Sequence, residues 1–173
     1  MRVCAVMDEM AAASLCPLRV GASVEFVLGV VGVDLATVPG VGVDASHPVL
    51  AEAPVTMTST RVVTDFDTLY TEFVAGAAVG YHRGRFSGTK EMQFFEASDD
   101  LDEFTSLDGT RVIDPIPTRG VITRLRRSRR RRTPPRGNYR DVTDTGAPGT
   151  YTDVDWIIDL DVADSPADSR PDS

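Results

Sequence analysis

The chain has 173 residues, of which 42% are hydrophobic and 25% charged, so it is long enough to bury a core and resembles globular proteins in composition. Its longest run without Asp, Glu, Lys or Arg is ten residues (73–82), whereas a membrane helix needs about 20, and we expect no membrane contact. Cys4 and Cys16 are the two cysteines; they cannot by themselves form a disulfide framework or a four-ligand zinc site.

The first third of the chain predicts one weak helix followed by strands. Met1–Leu18 carries apolar residues at helical spacing. Ser23–Val33 and Thr56–Val63 are rich in β-branched residues, which favours strands. Between them, Val-Gly-Val-Asp occurs on both sides of Pro39-Gly40, which indicates a turn that joins two short strands.

The clearest helix pattern covers about residues 65–79. Thr64 can cap the first turn, and Gly80 can end the helix. The apolar stripe recurs at i, i+3, i+4 and i+7, and it consists of Phe66, Leu69, Tyr70, Phe73, Val74, Ala77 and Ala78. We therefore predict one central amphipathic helix that packs on a sheet, with Phe73 in the core.

Strands dominate the prediction for the remaining chain. Tyr81–Phe86 and Lys90–Phe95 indicate a hairpin around Ser-Gly-Thr. Thr110–Ile113 and Gly120–Arg127 are strand candidates on either side of a connector with two prolines. The last strand, Tyr151–Val162, alternates strictly between an apolar face, which includes Trp156, and a face with four aspartates.

The last strand also predicts a partner. If it runs antiparallel to Gly120–Arg127 with paired residue numbers that sum to 279, then Arg124 faces Asp155 and Arg126 faces Asp153. Apolar and charged partners then match at every step. The aspartates stand about 6.6–7 Å apart along a strand and diverge, so we favour an arginine-paired or solvated face over a metal site.

An arginine-rich segment is the most informative feature. Nine arginines lie within Arg124–Arg140, a window without an acidic residue, and the rest of the chain has a formal charge of −17. We predict a projecting loop, rich in Arg, Pro and Gly, at about 128–150. The candidate residues for binding nucleic acid or a protein partner are Arg129, Arg130, Arg131, Arg132, Arg136 and Arg140.

Three interpretations of this loop remain open. The arginines can contact phosphate groups, dock on an acidic surface of a neighbouring copy or partner, or form a solvated loop without a specific partner. Tyr139 is the one aromatic residue in the window, which argues against base stacking and hence against sequence reading of single strands.

Together these patterns predict an α+β fold, in which an antiparallel Val-rich sheet or small barrel packs on the helix at 65–79. Residues 1–163 form the single domain, and 164–173 form a polar flexible tail. The two histidines, His47 and His82, lie in no catalytic signature that we recognise. We expect no enzyme activity, no cofactor and no bound metal.

The predicted function is structural. We expect a subunit of a larger particle, the virion of a virus of a GC-rich or halophilic microbe, as a capsid, head–tail connector or tail component. Arg outnumbers Lys 17 to 1, which suits a GC-rich genome, and an acidic chain suits a salt-adapted host. The expected partners are copies of the chain, other subunits and nucleic acid, in the virion or in the host cytoplasm before assembly. The alternatives are a free non-specific nucleic-acid-binding protein and, third, a metal-dependent hydrolase that uses the aspartate row.

Overall fold

The computed structural model describes residues 1–7, 11, 14–15, 17–30, 55–64, 69–92, 95–98, 115–129, 139–146 and 154–163. In these ranges the chain is nearly all β. The strands are β1 (Arg2–Met7), β2 (Ser23–Val30), β3 (Val55–Thr64), β4 (Leu69–Ala75), β5 (Ala78–Arg83), β6 (Thr89–Met92), β7 (Phe95–Ser98), β8 (Thr118–Arg129), β9 (Arg140–Val142) and β10 (Val154–Asp161).

Five of the strands close into a barrel. β1 pairs with β10, β10 with β8, β8 with β2, β2 with β7, and β7 pairs back with β1. Every pair in the ring is antiparallel except β1 with β7. A barrel of about eight strands is only just wide enough for its own side chains, so a ring of five has no room for a ligand.

The other strands extend this barrel. β5 pairs in parallel with the second half of β2, and β4, β3 and β6 continue outward from β5. We call these four strands the second sheet, although they are hydrogen-bonded to the barrel in one ten-stranded sheet. The Thr118 side chain joins the two parts, because its hydroxyl contacts both the amide and the carbonyl of Val79, at 2.8 and 2.9 Å. At the other end of the sheet order, β9 pairs with β8.

The main core lies inside the barrel and continues under the second sheet. Its largest fully buried apolar side chains are Trp156, Phe26, Phe73, Phe95, Met7, Leu28, Met57, Met92, Ile122 and Leu125. A smaller cluster on the opposite face of the second sheet contains Val27, Tyr70, Val79 and Tyr81. A third cluster lies on the barrel wall and contains Cys4 and Ile157, with Val6 and Tyr139 packed against it.

The predicted α+β class is wrong, because the central helix at 65–79 is absent. Residues 69–83 instead form the hairpin of β4 and β5, which closes at the pair Ala75↔Ala78 with Gly76 at φ +57°. Both faces of β4 are buried. Its apolar residues therefore follow one another without alternation, and they imitate the i, i+3, i+4 spacing of a helix. Residues 65–68 lie outside the described ranges.

Two further local predictions are wrong. The chain opens with strand β1, where we expected a helix, and the strand's residues are mostly buried between β7 and β10. Of the later part of that predicted helix, the described residues Ala11, Ser14 and Leu15 are helical. The predicted hairpin of Tyr81–Phe86 with Lys90–Phe95 is absent. Tyr81 lies in β5, which pairs with β4, and Lys90 lies in β6, which pairs with the edge of β3. The predicted strand at 110–113 and the repeat around Pro39 lie outside the described residues.

The pairing of β8 with β10 is confirmed as antiparallel, but the predicted register is wrong. Arg124 stands opposite Asp159 and Ile122 opposite Leu160, so Thr123 is an extra residue in a β-bulge. The Thr123 hydroxyl donates a 3.1 Å hydrogen bond to the Asp159 carbonyl. Because of the bulge, the Ile122 side chain is buried in the core and Val121 is 41% exposed. A strictly alternating strand would place Val121 in the core and Ile122 on the other face.

The residues that the structure describes include no helix long and apolar enough to cross a membrane. The predicted tail, 164–173, lies outside the described ranges.

Candidate functional site

The arginine-rich segment connects two paired strands. β8 ends at Arg129 and β9 begins at Arg140, and the register places Arg127 opposite Arg140. Pairing therefore brings the two ends of the segment 128–140, which we call the arginine arm, next to each other. Arg140 is exposed. Arg130, Arg131, Arg132 and Arg136 lie outside the described residues.

The arm leaves the barrel far from the second sheet. β8 has 12 residues, so at about 3.3 Å per residue its two ends are roughly 36 Å apart. Thr118, the first residue, contacts β5 of the second sheet. The arm begins at the opposite end of the same strand.

Arg124 binds Asp141 across the β8–β9 hairpin. Its Nε and Nη2 donate to the two carboxylate oxygens at 2.8 and 3.2 Å. This hydrogen bonding lowers the pKa of the Asp141 carboxyl below its ordinary value. We expected Arg124 to pair with Asp155. It binds Asp141 instead, because the register of β8 with β10 differs and because β9 supplies a carboxylate on the other side of β8.

Arg126 forms a buried ion pair. Its Nη2 donates to Asp159 Oδ1, and both side chains are only 2% exposed. The Sγ of Cys4 lies 3.8 Å from the same nitrogen. Within the described part of the chain, the buried Nε and Nη1 of this guanidinium have no hydrogen-bond partner. The aspartate face of β10, which we expected to be arginine-paired or solvated, is therefore covered by an arginine at its centre, and Arg126 binds Asp159 instead of the predicted Asp153.

Arg127 covers the only tryptophan. Its guanidinium carbon lies 5.4 Å from the ring centroid of Trp156, which is within cation–π range. Three of the nine arginines in the window thus have partners inside the fold, which a count of charges could not reveal. The remaining six are the predicted contact residues.

Tyr139 is the aromatic residue of the arm, and it packs on the barrel. It is half-buried against the wall cluster of Cys4 and Ile157. A ring held in this way does not extend with the arginines toward a base. The chemistry that the arm offers is therefore that of guanidinium groups, which bind phosphate or carboxylate oxygens.

Two aspartates of the predicted row, Asp159 and Asp161, contact cations, and Asp153 lies outside the described residues. Asp159 binds Arg126, and Asp161 Oδ1 lies 3.5 Å from the amine of Met1. No group of three or more His, Cys, Asp or Glu residues in the described ranges is arranged to hold a metal ion.

A second buried polar cluster lies on the second sheet, and the sequence pattern did not reveal it. Glu72 is fully buried and accepts hydrogen bonds from Thr60 Oγ1 and Arg61 Nε, both at 2.9 Å. The Tyr81 hydroxyl lies 3.5 Å from the same carboxylate and accepts a 2.7 Å hydrogen bond from the Ile116 amide. The cluster holds the connector before β8 on the sheet, which is a structural role.

This cluster predicts a loss of stability at alkaline pH. Burial raises the pKa of the Tyr81 hydroxyl above its ordinary value of 10.0, so the unfolded chain releases this proton at a lower pH than the folded one. The free energy of unfolding should therefore fall as the pH rises through about 10. In urea unfolding between about pH 8 and 11, Tyr81→Phe should reduce this fall, while Tyr139→Phe serves as the control. An unchanged pH profile in Tyr81→Phe would contradict the assignment.

No protein-family model, no curated protein and no solved structure matches this chain.

Proposed function

We propose that the chain is a non-enzymatic structural subunit of a larger particle, and that the arginine arm is its contact element. The observation that carries the proposal is the β8–β9 hairpin, which holds both ends of the arm at one end of a rigid barrel. Guanidinium groups in an arm cannot be buried without partners. Contact with an anionic neighbour supplies those partners.

The charge distribution supports a contact with an anionic partner. Without the six arginines of the arm, the chain has 12 basic residues against 26 acidic ones, a formal charge of −14. Such a body repels nucleic acid and attracts the arm of another copy. The arm of one subunit can thus bind an acidic surface of the next or a packaged genome.

The particle that we favour is a virion, with the chain as a capsid, head–tail connector or tail component. The ratio of 17 Arg to 1 Lys and the acidic composition suit a virus of a GC-rich or halophilic microbe. A barrel without room for a ligand supports a building-block role.

The second candidate is a free nucleic-acid-binding protein that contacts phosphates without reading bases. The packing of Tyr139 on the barrel favours this mode over stacking on single strands. Solution mass separates the two candidates. A ring or a concentration-dependent assembly supports the structural role, and a discrete monomer that binds DNA supports the alternative.

The test is Arg129→Ser, Arg130→Ser, Arg131→Ser and Arg132→Ser in one variant. If about five phosphates are neutralised, log affinity for duplex DNA should fall with log salt at a slope near −4.5 in the wild type, and the variant should flatten it. The melting temperature should barely change, because Arg129 forms the last pair of β8 with β10 through its backbone, which serine retains, and the other three residues follow that pair. Fluorescence anisotropy across about 50–200 mM salt measures the slope, and analytical ultracentrifugation measures assembly.

A control with the same change in charge separates the arm from net charge alone. Arg2, Arg83, Arg85 and Arg119 are exposed and lie outside the arm, and replacing all four with serine gives the matched variant. Loss of assembly with retained DNA binding in the arm variant identifies a protein-docking arm. If the arm and control variants both behave like the wild type, the arm is only a solvated loop and the proposal fails.

A further inference from the structure

The sequence is compatible with two pairings of β8 with β10. In the structure Leu125 stands opposite Ile158. The pairing with residue numbers that sum to 279 would place Leu125 opposite Val154 instead. The two registers differ by four residues, which is an even number. Every β8 side chain from Arg124 to Arg129 would therefore point to the same face of the sheet in both registers. Alternation of apolar and polar residues therefore cannot choose between them.

The buried ion pair exists in only one of these registers. In the structure Arg126 stands opposite Ile157 and reaches Asp159, two residues further along β10. In the displaced register Arg126 would stand opposite Asp153, six residues or about 20 Å from Asp159 along the strand. Both groups of the pair would then need other partners.

The pair is poorly suited to a role in stability or in ligand binding. Two buried nitrogens of the guanidinium lack partners among the described residues, and replacing such a pair by apolar side chains is often neutral or stabilising. The charges within the pair itself already balance, because Arg126 binds Asp159, so the pair offers no free charge to an additional anion.

We propose that the Arg126–Asp159 pair is a register lock for β8, and that it thereby sets the length of the arginine arm. In the displaced register four residues, among them Arg126, Arg127 and Arg129, would extend past the first residue of β10. The segment of β8 and the arm that is not paired with β10 would lengthen by about 13 Å of chain and gain three cations. The effect on binding rests on the proposed function, but the register does not.

The experiment compares two double variants of the full chain by NMR. Arg126→Met with Asp159→Leu removes the charges and keeps side-chain bulk, and Arg126→Gln with Asp159→Asn keeps a neutral polar pair. We expect a second set of amide signals for β8 in both, with cross-strand contacts of Trp156 to Thr123 in addition to Arg127. The melting temperature of the apolar variant should equal or exceed that of the wild type.

The matched control is Arg124→Gln with Asp141→Asn, which removes the exposed ion pair two residues away on the same strand. This control should keep one set of signals and the Trp156–Arg127 contact. If the double variants also keep one register, the bulge at Thr123 suffices and the proposal is overturned. If neither double variant folds, the pair is needed for the barrel itself, which also overturns the proposal. Neither outcome depends on whether the arm binds a partner.

Discussion

Trp156→Ala is expected to lower the free energy of unfolding by about 3–5 kcal/mol. The indole is fully buried in the barrel core, which is filled by side chains from all five strands. A cavity of that size inside a closed ring cannot collapse easily, because each wall strand is paired on both sides. The loss should therefore lie toward the upper part of the range.

Chemical denaturation of the variant and the wild type measures this loss. Val121→Ala is the control, since Val121 lies on β8 but is 41% exposed, and its effect should stay within about 0.5 kcal/mol. Phe73→Ala tests the second sheet in the same way, because Phe73 is also fully buried. Wild-type-like unfolding of Trp156→Ala would mean that β10 does not line the core.

The strands whose sequence alternates between apolar and polar residues were the most predictable from sequence. β10 alternates between apolar residues and aspartates, and β8 lies next to it as expected. β3 also matches its predicted range closely. In these strands the two-residue period of apolar and polar residues directly indicates which side chains share a face of the sheet.

The helix prediction failed where both faces of a strand are buried. β4 carries Phe73 toward the main core and Tyr70 toward the smaller cluster. Its apolar residues therefore show no alternation, and a short run of this kind cannot be distinguished from a helix by periodicity. The predicted helix therefore also included the two-residue turn at Gly76.

The arginine-rich segment was predictable from sequence as a charged segment. The different structural roles of its individual arginines were not. Composition identifies Arg124–Arg140, yet Arg124, Arg126 and Arg127 differ in structure: one is in an exposed pair, one is buried and one covers a tryptophan. These roles depend on a bulge and on β9, whose three residues carry no clear strand pattern. Long-range pairing determines both features, and local sequence does not.

The two ion pairs at the base of the arm predict a large difference between two similar mutations. Asp159→Ala leaves the guanidinium of Arg126 buried without its carboxylate, and an uncompensated buried charge costs about 3–5 kcal/mol. Asp141→Ala removes the carboxylate that Arg124 binds, but both side chains are substantially exposed, at 40% and 65%. Water then replaces the lost partner, and the cost should be about 0.2–1 kcal/mol.

Urea unfolding of the two variants at neutral pH and at two salt concentrations tests this contrast. Added salt should diminish the small effect of Asp141→Ala and leave the effect of Asp159→Ala nearly unchanged, because buried charges are screened much less than exposed ones. Arg126→Met in the Asp159→Ala background should recover part of the loss, since it removes the charge that the first change left unpaired. Equal losses in the two single variants, or no recovery in the double variant, would show that Arg126 is hydrated in solution and that the centre of this wall is open to water.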